Sequence, residues 1–175
     1  PRVWDGIYKA IVKEITHDKK SEKALFKATS AAAILTRKFK DILIGRNQQF
    51  KRPNFLFSVI NKGLYLPVIF LWPLKALGQA KYFGKVHAQF GGEFKIGMSG
   101  GGGLAPKLDR FYNSVGIRVV EGYGLTETAP ICCIRHYKKP VLGTIGKIMP
   151  YCQCRVLDKD GNDCEPGKKG VLYIK

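Results

Sequence analysis

Acidic residues are scarce in this chain, with 13 Asp and Glu against 30 Lys and Arg over 175 residues, a net charge of +17. The surplus is uneven: residues 1–95 carry 18 basic and 6 acidic side chains, and the remainder 12 and 7. Such an excess either attracts nucleic acid, anionic lipid or a polyphosphate, or forms solvated helix faces. No RNP, zinc-finger or basic-zipper pattern accompanies it, so no nucleic-acid partner is expected. A long apolar run is also missing. The most apolar stretch, residues 64–74, falls short of the roughly 20 residues a bilayer span needs, and Pro67 and Pro73 interrupt it. It reads as a buried core helix, or else as the wall of an apolar channel or a patch touching a membrane surface.

Cysteine pairing signals are absent too. The five cysteines, Cys132, Cys133, Cys152, Cys154 and Cys164, are odd in number, and no secretory signal precedes them. Reduced thiols and a cytoplasmic location, with at most peripheral membrane contact, are therefore expected. Cys133 and His136 lie three apart and Cys152 and Cys154 share a strand face, so a zinc site is weighed, but there is no Cys-x-x-Cys knuckle. The chain begins at Pro1 without an initiator Met and stops at Lys175 within a strand pattern, which reads as an excised piece.

Three ligand motifs fail on their own residues. A Rossmann fingerprint needs a third glycine after Gly122-x-Gly124, and Glu127 stands there. A P-loop needs Gly-Lys-Ser/Thr, whereas Gly146-Lys147 runs into Ile148. In Asp158-Lys159-Asp160-Gly161 the glycine comes too early for an EF-hand.

What is present is enough apolar content, 45%, to bury a core. Trp4, Ile7, Tyr8, Ile11 and Ile15 recur at helical spacing behind Pro1, and a second helix runs from an N-cap at Ser21 to just before Gly45. Leu77 to Phe90 reads as a helix stopped by Gly91-Gly92. Phe94, Ile96 and Met98 then alternate as a strand that delivers the chain into Ser99-Gly100-Gly101-Gly102-Gly103. Pro106 opens a short helix ending at Gly116, and Ile117-Arg118-Val119-Val120 is a buried parallel strand entering Glu121-Gly122-Tyr123-Gly124-Leu125-Thr126-Glu127-Thr128. Asp160-Gly161 is read as the turn of a hairpin joining residues 154–157 to 170–174.

The strand, loop, helix, strand order from Phe94 to Glu121 sets both glycine loops at one sheet edge, because βαβ crossovers are right-handed. Four successive glycines leave backbone N–H groups free to cradle an anion, or let a flat ring lie against the main chain. The second loop adds an aromatic face, two hydroxyls and a carboxylate, a set suited to a nucleotide and a divalent cation.

The string Glu121-Gly122-Tyr123-Gly124-Leu125-Thr126-Glu127-Thr128-Ala129-Pro130, preceded by the Ser99-Gly100-Gly101 loop and followed by Gly143-Thr144-Ile145-Gly146 and Asp160-Gly161, closely resembles the adenylate-forming superfamily. With Pro1-Arg2-Val3-Trp4, it is most similar to long-chain fatty acid CoA ligases; the alternatives are an adenylate-forming ligase for another carboxylic acid, or a nucleotide- or nucleic-acid-binding module without ligase activity. The resemblance implies an α/β fold: part of a large N-terminal domain, with a sheet flanked by helices and a C-terminal β-hairpin region. Residues 1–92 would be mainly helical, 93–130 the nucleotide region and 131–175 β-rich.

It also implies a two-step reaction, in which a fatty acid carboxylate attacks the α-phosphate of ATP with Mg²⁺ and the acyl group of acyl-AMP then passes to CoA. Gly101, Gly102, Gly103, Glu121, Gly122, Tyr123, Gly124, Leu125 and Thr126 would line the nucleotide. Tyr123 would pack on adenine, Thr126 would bond the α-phosphate and Glu127 would hold Mg²⁺. Two positions depart from the family pattern: Gly102 replaces a usual Ala, and Gly170 is followed by Val171 rather than Glu. The family's phosphate loop, ribose-binding Asp, hinge and catalytic Lys are not found in the chain. By itself it is therefore expected to form no acyl-AMP, and to self-associate through exposed strand edges.

Overall fold

The computed structural model describes residues 2–17, 19–46, 63, 66–128 and 131–175. Two long helices open it, α1 (Arg2–Thr16) and α2 (Lys20–Leu43). Trp4, Ile11 and Ile15 of α1 are buried, as their helical spacing predicts. Ser21 is not the cap of α2. Lys19 holds that position in an extended conformation, no side chain caps the first turn, and Ser21 lies inside the helix. The chain leaves α1 through Lys19, whose N–H bonds the Thr16 carbonyl, so the new helix starts before the serine is reached.

A 3₁₀ turn (Leu66–Leu71) leads into α3 (Trp72–Gly78), a π-helical turn (Gln79–Phe83) and α4 (Gly84–Gln89). The helix expected over residues 77–90 thus starts earlier and is broken by the π turn. Tyr82 and Phe83 are buried within that turn. Its end is as read: Gly91 and Gly92 both take φ of 76° and their N–H groups close on the carbonyls of Ala88 and His87.

Within the apolar run, Leu64 and Tyr65 lie outside the described residues. The core reading fails for Phe70 and Trp72, which are 85% and 69% exposed. No helix among the described residues is long and apolar enough to cross a membrane.

The sheet is α/β in its first half. Strand β1 (Gly97–Ser99) pairs in parallel with β2 (Val119–Tyr123), joined by α5 (Pro106–Ser114). Two short antiparallel strands extend it, β3 (Cys133–Ile134) and β4 (Lys147–Ile148), in the order β1-β2-β3-β4. In β1 the face is the reverse of the one its alternation suggests: Gly97 and Ser99 are buried, while Ile96 and Met98 are exposed. The Trp4 ring decides this. A Cβ at Gly97 would fall within 3.0 Å of that ring, so only glycine lets α1 press against the strand, and Trp4 Nε1 donates to the Met98 carbonyl at 3.3 Å.

One apolar cluster joins α1, α2, α4, α5 and the start of β2, with Trp4, Phe26, Tyr82, Phe111, Tyr112 and Val119 among its members. Trp4 and Tyr112 meet edge to face at 5.2 Å, and the Tyr112 hydroxyl donates to the Trp4 carbonyl at 2.8 Å. Burial pushes the Tyr112 phenol far above its ordinary range.

Strands β5 (Cys154–Leu157) and β6 (Val171–Ile174) pair antiparallel as a separate ribbon. The Asp160-Gly161 turn exists, with Asp158 Oδ1 accepting from the N–H groups of Asp160 and Asn162 at 2.9 Å. It does not itself join the two strands. The chain folds back so that Leu157 bridges Asp163, and a further loop carries it to Val171.

Candidate functional site

The two glycine loops meet. Because β1 and β2 run parallel, with Ser99 opposite Glu121, both chains leave the sheet at the same edge and the loops face each other. Between them lies a cavity of about 180 Å³ lined by Gly101, Gly102, Gly103, Glu121, Gly122, Tyr123, Gly124 and Ile145. Gly101 and Gly102 have φ of 68° and 149°, conformations that residues with a Cβ rarely adopt. A side chain at either would strain the loop that forms this wall.

Seven of the residues singled out from the sequence therefore share one concavity. Three do not line it. Leu125, Thr126 and Glu127 are exposed, the last two in the 3₁₀ turn Thr126–Thr128 that directly follows the wall. Ile145 was not singled out, although it sits in the Gly143-Thr144-Ile145-Gly146 string that the resemblance rests on. Gly146 explains why that string closes on the site. It has φ of 91°, and a Cβ there would collide with the backbone of Ile134 and Arg135. Glycine alone lets the loop lie flat on the end of β3.

Beneath the cavity is a buried charge cluster that periodicity did not reveal. The guanidinium of Arg135, 1% exposed, bonds Asp109 Oδ1 at 2.7 Å and also the Oε2 of Glu121, whose side chain is 12% exposed. Its Nε and Nη2 both donate to the Thr144 carbonyl, at 3.0 and 2.7 Å. Asp109 accepts in addition from Asn113 Nδ2 at 3.0 Å and from the Gly143 N–H at 3.2 Å. Glu121 Oε1 accepts the Leu104 N–H at 2.7 Å.

Arg135 thus ties together α5, the end of β2, the 143–144 loop and, through Glu121, the exit of the glycine loop. Charge-assisted bonds of this kind are the strong ones, and burial keeps salt from screening them. The signal available in the sequence was a lone arginine directly after Ile131-Cys132-Cys133-Ile134, where a solvated surface would not be expected.

The cysteines are free thiols. Burial pushes the Cys133 thiol above its ordinary value, and the neighbouring Cys154 thiol adds to the shift. The zinc reading is not supported: among the described residues no group of three or more His, Cys, Asp or Glu side chains is placed to hold a metal.

Comparison with known proteins bears on the family of the chain. The family model described as AMP-binding enzyme matches residues 9–175. A probable acyl-activating enzyme 16 of the chloroplast and a long-chain-fatty-acid–[acyl-carrier-protein] ligase, AEE15, both from Arabidopsis thaliana, are each 31% identical over the whole of this chain. They are covered to 25% and 24% of their own lengths. The long-chain-fatty-acid–CoA ligase FadD15 of Mycobacterium bovis is 36% identical over 51% of this chain and 14% of that protein. The chain spans about a quarter of the length of the first two relatives. With a family model covering all but its first eight residues, this chain belongs to the AMP-binding enzyme family of adenylate-forming ligases.

Proposed function

We propose that the protein containing this chain activates a long-chain fatty acid with ATP and passes the acyl group from acyl-AMP to a thiol, that of CoA in the first reading. The observation that carries this is the joint cavity: two facing glycine loops, an aromatic ring at the wall, and a hydroxyl and a carboxylate in the next turn. Activation meets a chemical need, since a carboxylate is a poor acyl donor until its oxygen leaves as part of AMP. In this reading Tyr123 packs on adenine, the glycines at 101–103, 122 and 124 let the main chain approach the nucleotide, and Thr126 donates to the α-phosphate.

Glu127 fits a magnesium role of a limited kind. It offers one exposed hard oxygen anion, and Mg²⁺ is commonly held by one or two carboxylates together with substrate phosphates. The metal would neutralise phosphate charge, while the protein's own part is to place Glu127 one turn beyond Tyr123.

A second thiol acceptor is favoured by one observation. The acyl-carrier-protein ligase matches along the whole chain, whereas the CoA ligase from Mycobacterium matches about half of it. We include in the proposal a cytoplasmic setting, and contact with a membrane surface through Phe70 and Trp72, which liposome flotation of a Trp72→Ala variant tests.

The enzymatic reading is tested in the full-length protein by palmitate-dependent ATP–pyrophosphate exchange, and by thioester formation with CoA and with acyl carrier protein side by side. Tyr123→Ala should raise the KM for ATP about tenfold or more, the loss of one aromatic stack. Glu127→Gln should lower kcat about 100-fold, as for removal of one group that stabilises transition-state charge. Wild-type exchange kinetics in both variants would remove the basis for the assignment.

A further inference from the structure

A second cavity, of about 350 Å³, lies at the other end of the sheet. Arg118, which lines it, directly precedes β2, and Gly116 follows α5, so it belongs to the side where β2 begins. The nucleotide cavity belongs to the end where β2 finishes, and the two share no lining residue. Six cationic side chains converge on the second cavity: Arg37, Lys40, Arg46, Lys75, Arg118 and Lys138.

Its one lining carboxylate is Asp41, and Arg37 Nε already bonds that group at 2.7 Å. Among the described residues none of the other five cations has a carboxylate partner. Two helices end here, and each end is equivalent to about half a negative charge. Their carbonyls are also largely taken: those of Lys40, Asp41 and Ile42 by the N–H groups of Ile44, Arg46 and Gly45, and that of Asn113 by Arg37 Nη1 at 3.0 Å. The helix ends and Asp41 together offset about two of the positive charges. Roughly four remain around one concavity.

The arginines suit one ligand chemistry. A guanidinium presents a planar fork that matches phosphate, and Arg37 is fixed in place by Asp41 and Asn113 while using only part of its donor set. The volume lies within the range of small-molecule sites. We propose that this cavity binds an anion carrying more than one phosphate group, at a site separate from the nucleotide loops and independent of the ligase reading. Arg37, Arg46 and Arg118 supply the forked donors, and Lys40, Lys75 and Lys138 the point charges.

The test uses the full-length protein saturated with AMP and titrated calorimetrically with inorganic tripolyphosphate. A separate arm uses phosphatidylcholine vesicles containing phosphatidylinositol bisphosphate, to ask whether the phosphates belong to a soluble ligand or to a lipid headgroup. Binding that AMP does not displace, in either arm, is expected. The Lys75→Ala/Arg118→Ala variant should weaken it about tenfold or more, the cost of lost charge-assisted bonds, and Lys138→Glu should weaken it as well. Tyr123→Ala should leave it unchanged while weakening AMP, which separates failure here from failure of the ligase reading. Absence of AMP-insensitive binding in both arms, or binding that both cavity variants leave intact, overturns the proposal.

Discussion

Replacing Arg135 by Met tests whether the buried charge cluster holds the two glycine loops together. The substitution keeps most of the side-chain volume and removes the guanidinium. Asp109, 2% exposed, and Glu121, 12% exposed, would then lose the cation between them, and the Thr144 carbonyl would lose both of its donors. Removing one partner of a buried pair costs about 3–5 kcal/mol. Because domains are stable by only about 5–15 kcal/mol, that loss is a large share of the total.

Urea denaturation should show the loss as a lower midpoint at unchanged slope. Adding Glu121→Gln and Asp109→Asn to the Arg135→Met background should recover part of it, because the stranded charges are then gone. A local readout separates this from general weakening. The Leu104 N–H, bonded to Glu121 Oε1 at 2.7 Å, should exchange with solvent faster than the core amides of α5. A destabilisation under about 1 kcal/mol, the scale of an exposed ion pair, together with unchanged exchange at Leu104, would refute the idea that this cluster clasps the loops.

Gly146→Ala should destabilise by about 2–5 kcal/mol, combining the positive-φ penalty with overpacking against the Ile134–Arg135 backbone; urea denaturation measures it, and a neutral result would contradict the close approach. Gly97→Ala should cost about 1–3 kcal/mol by displacing Trp4, with a shift in tryptophan emission; unchanged emission would mean that α1 does not press on β1. Lys81 and the Tyr82 hydroxyl hold the Glu22 carboxyl below its ordinary value of 4.5. A lowered carboxylate value means that this contribution is complete above 4.5 and fades as pH falls below it. Glu22→Gln should flatten that part of the acid stability profile, and an unaltered profile would show that the contact contributes nothing.

Much of this molecule was legible from local chemistry. Helical spacing placed Trp4, Ile11 and Ile15 inside α1, because a 3.6-residue period marks one face whatever that face meets. The glycine stop at Gly91-Gly92 and the parallel entry into Glu121-Gly122-Tyr123-Gly124 were legible for the same reason: backbone freedom and β-branching act within a few residues. Where a local rule competed with a distant partner, it lost. Met98 and Ile96 looked like the inner face of β1 until the Trp4 ring claimed the space over Gly97, and Ser21 looked like a cap until the chain entered α2 from Lys19.

By itself, then, the sequence determined the family, the two loops and the residue types that line the cavity between them, since each is written in a contiguous string. Only the tertiary structure decided how those loops are held and where the basic surplus gathers. Arg135 touches groups far apart in the chain, Asp109, Glu121 and Thr144, and the cations from Arg37 to Lys138 converge only once α2, α3 and the start of β2 are packed. No periodicity records a charge whose partners come from other elements, because periodicity reports which face of an element is apolar and not what lies opposite it.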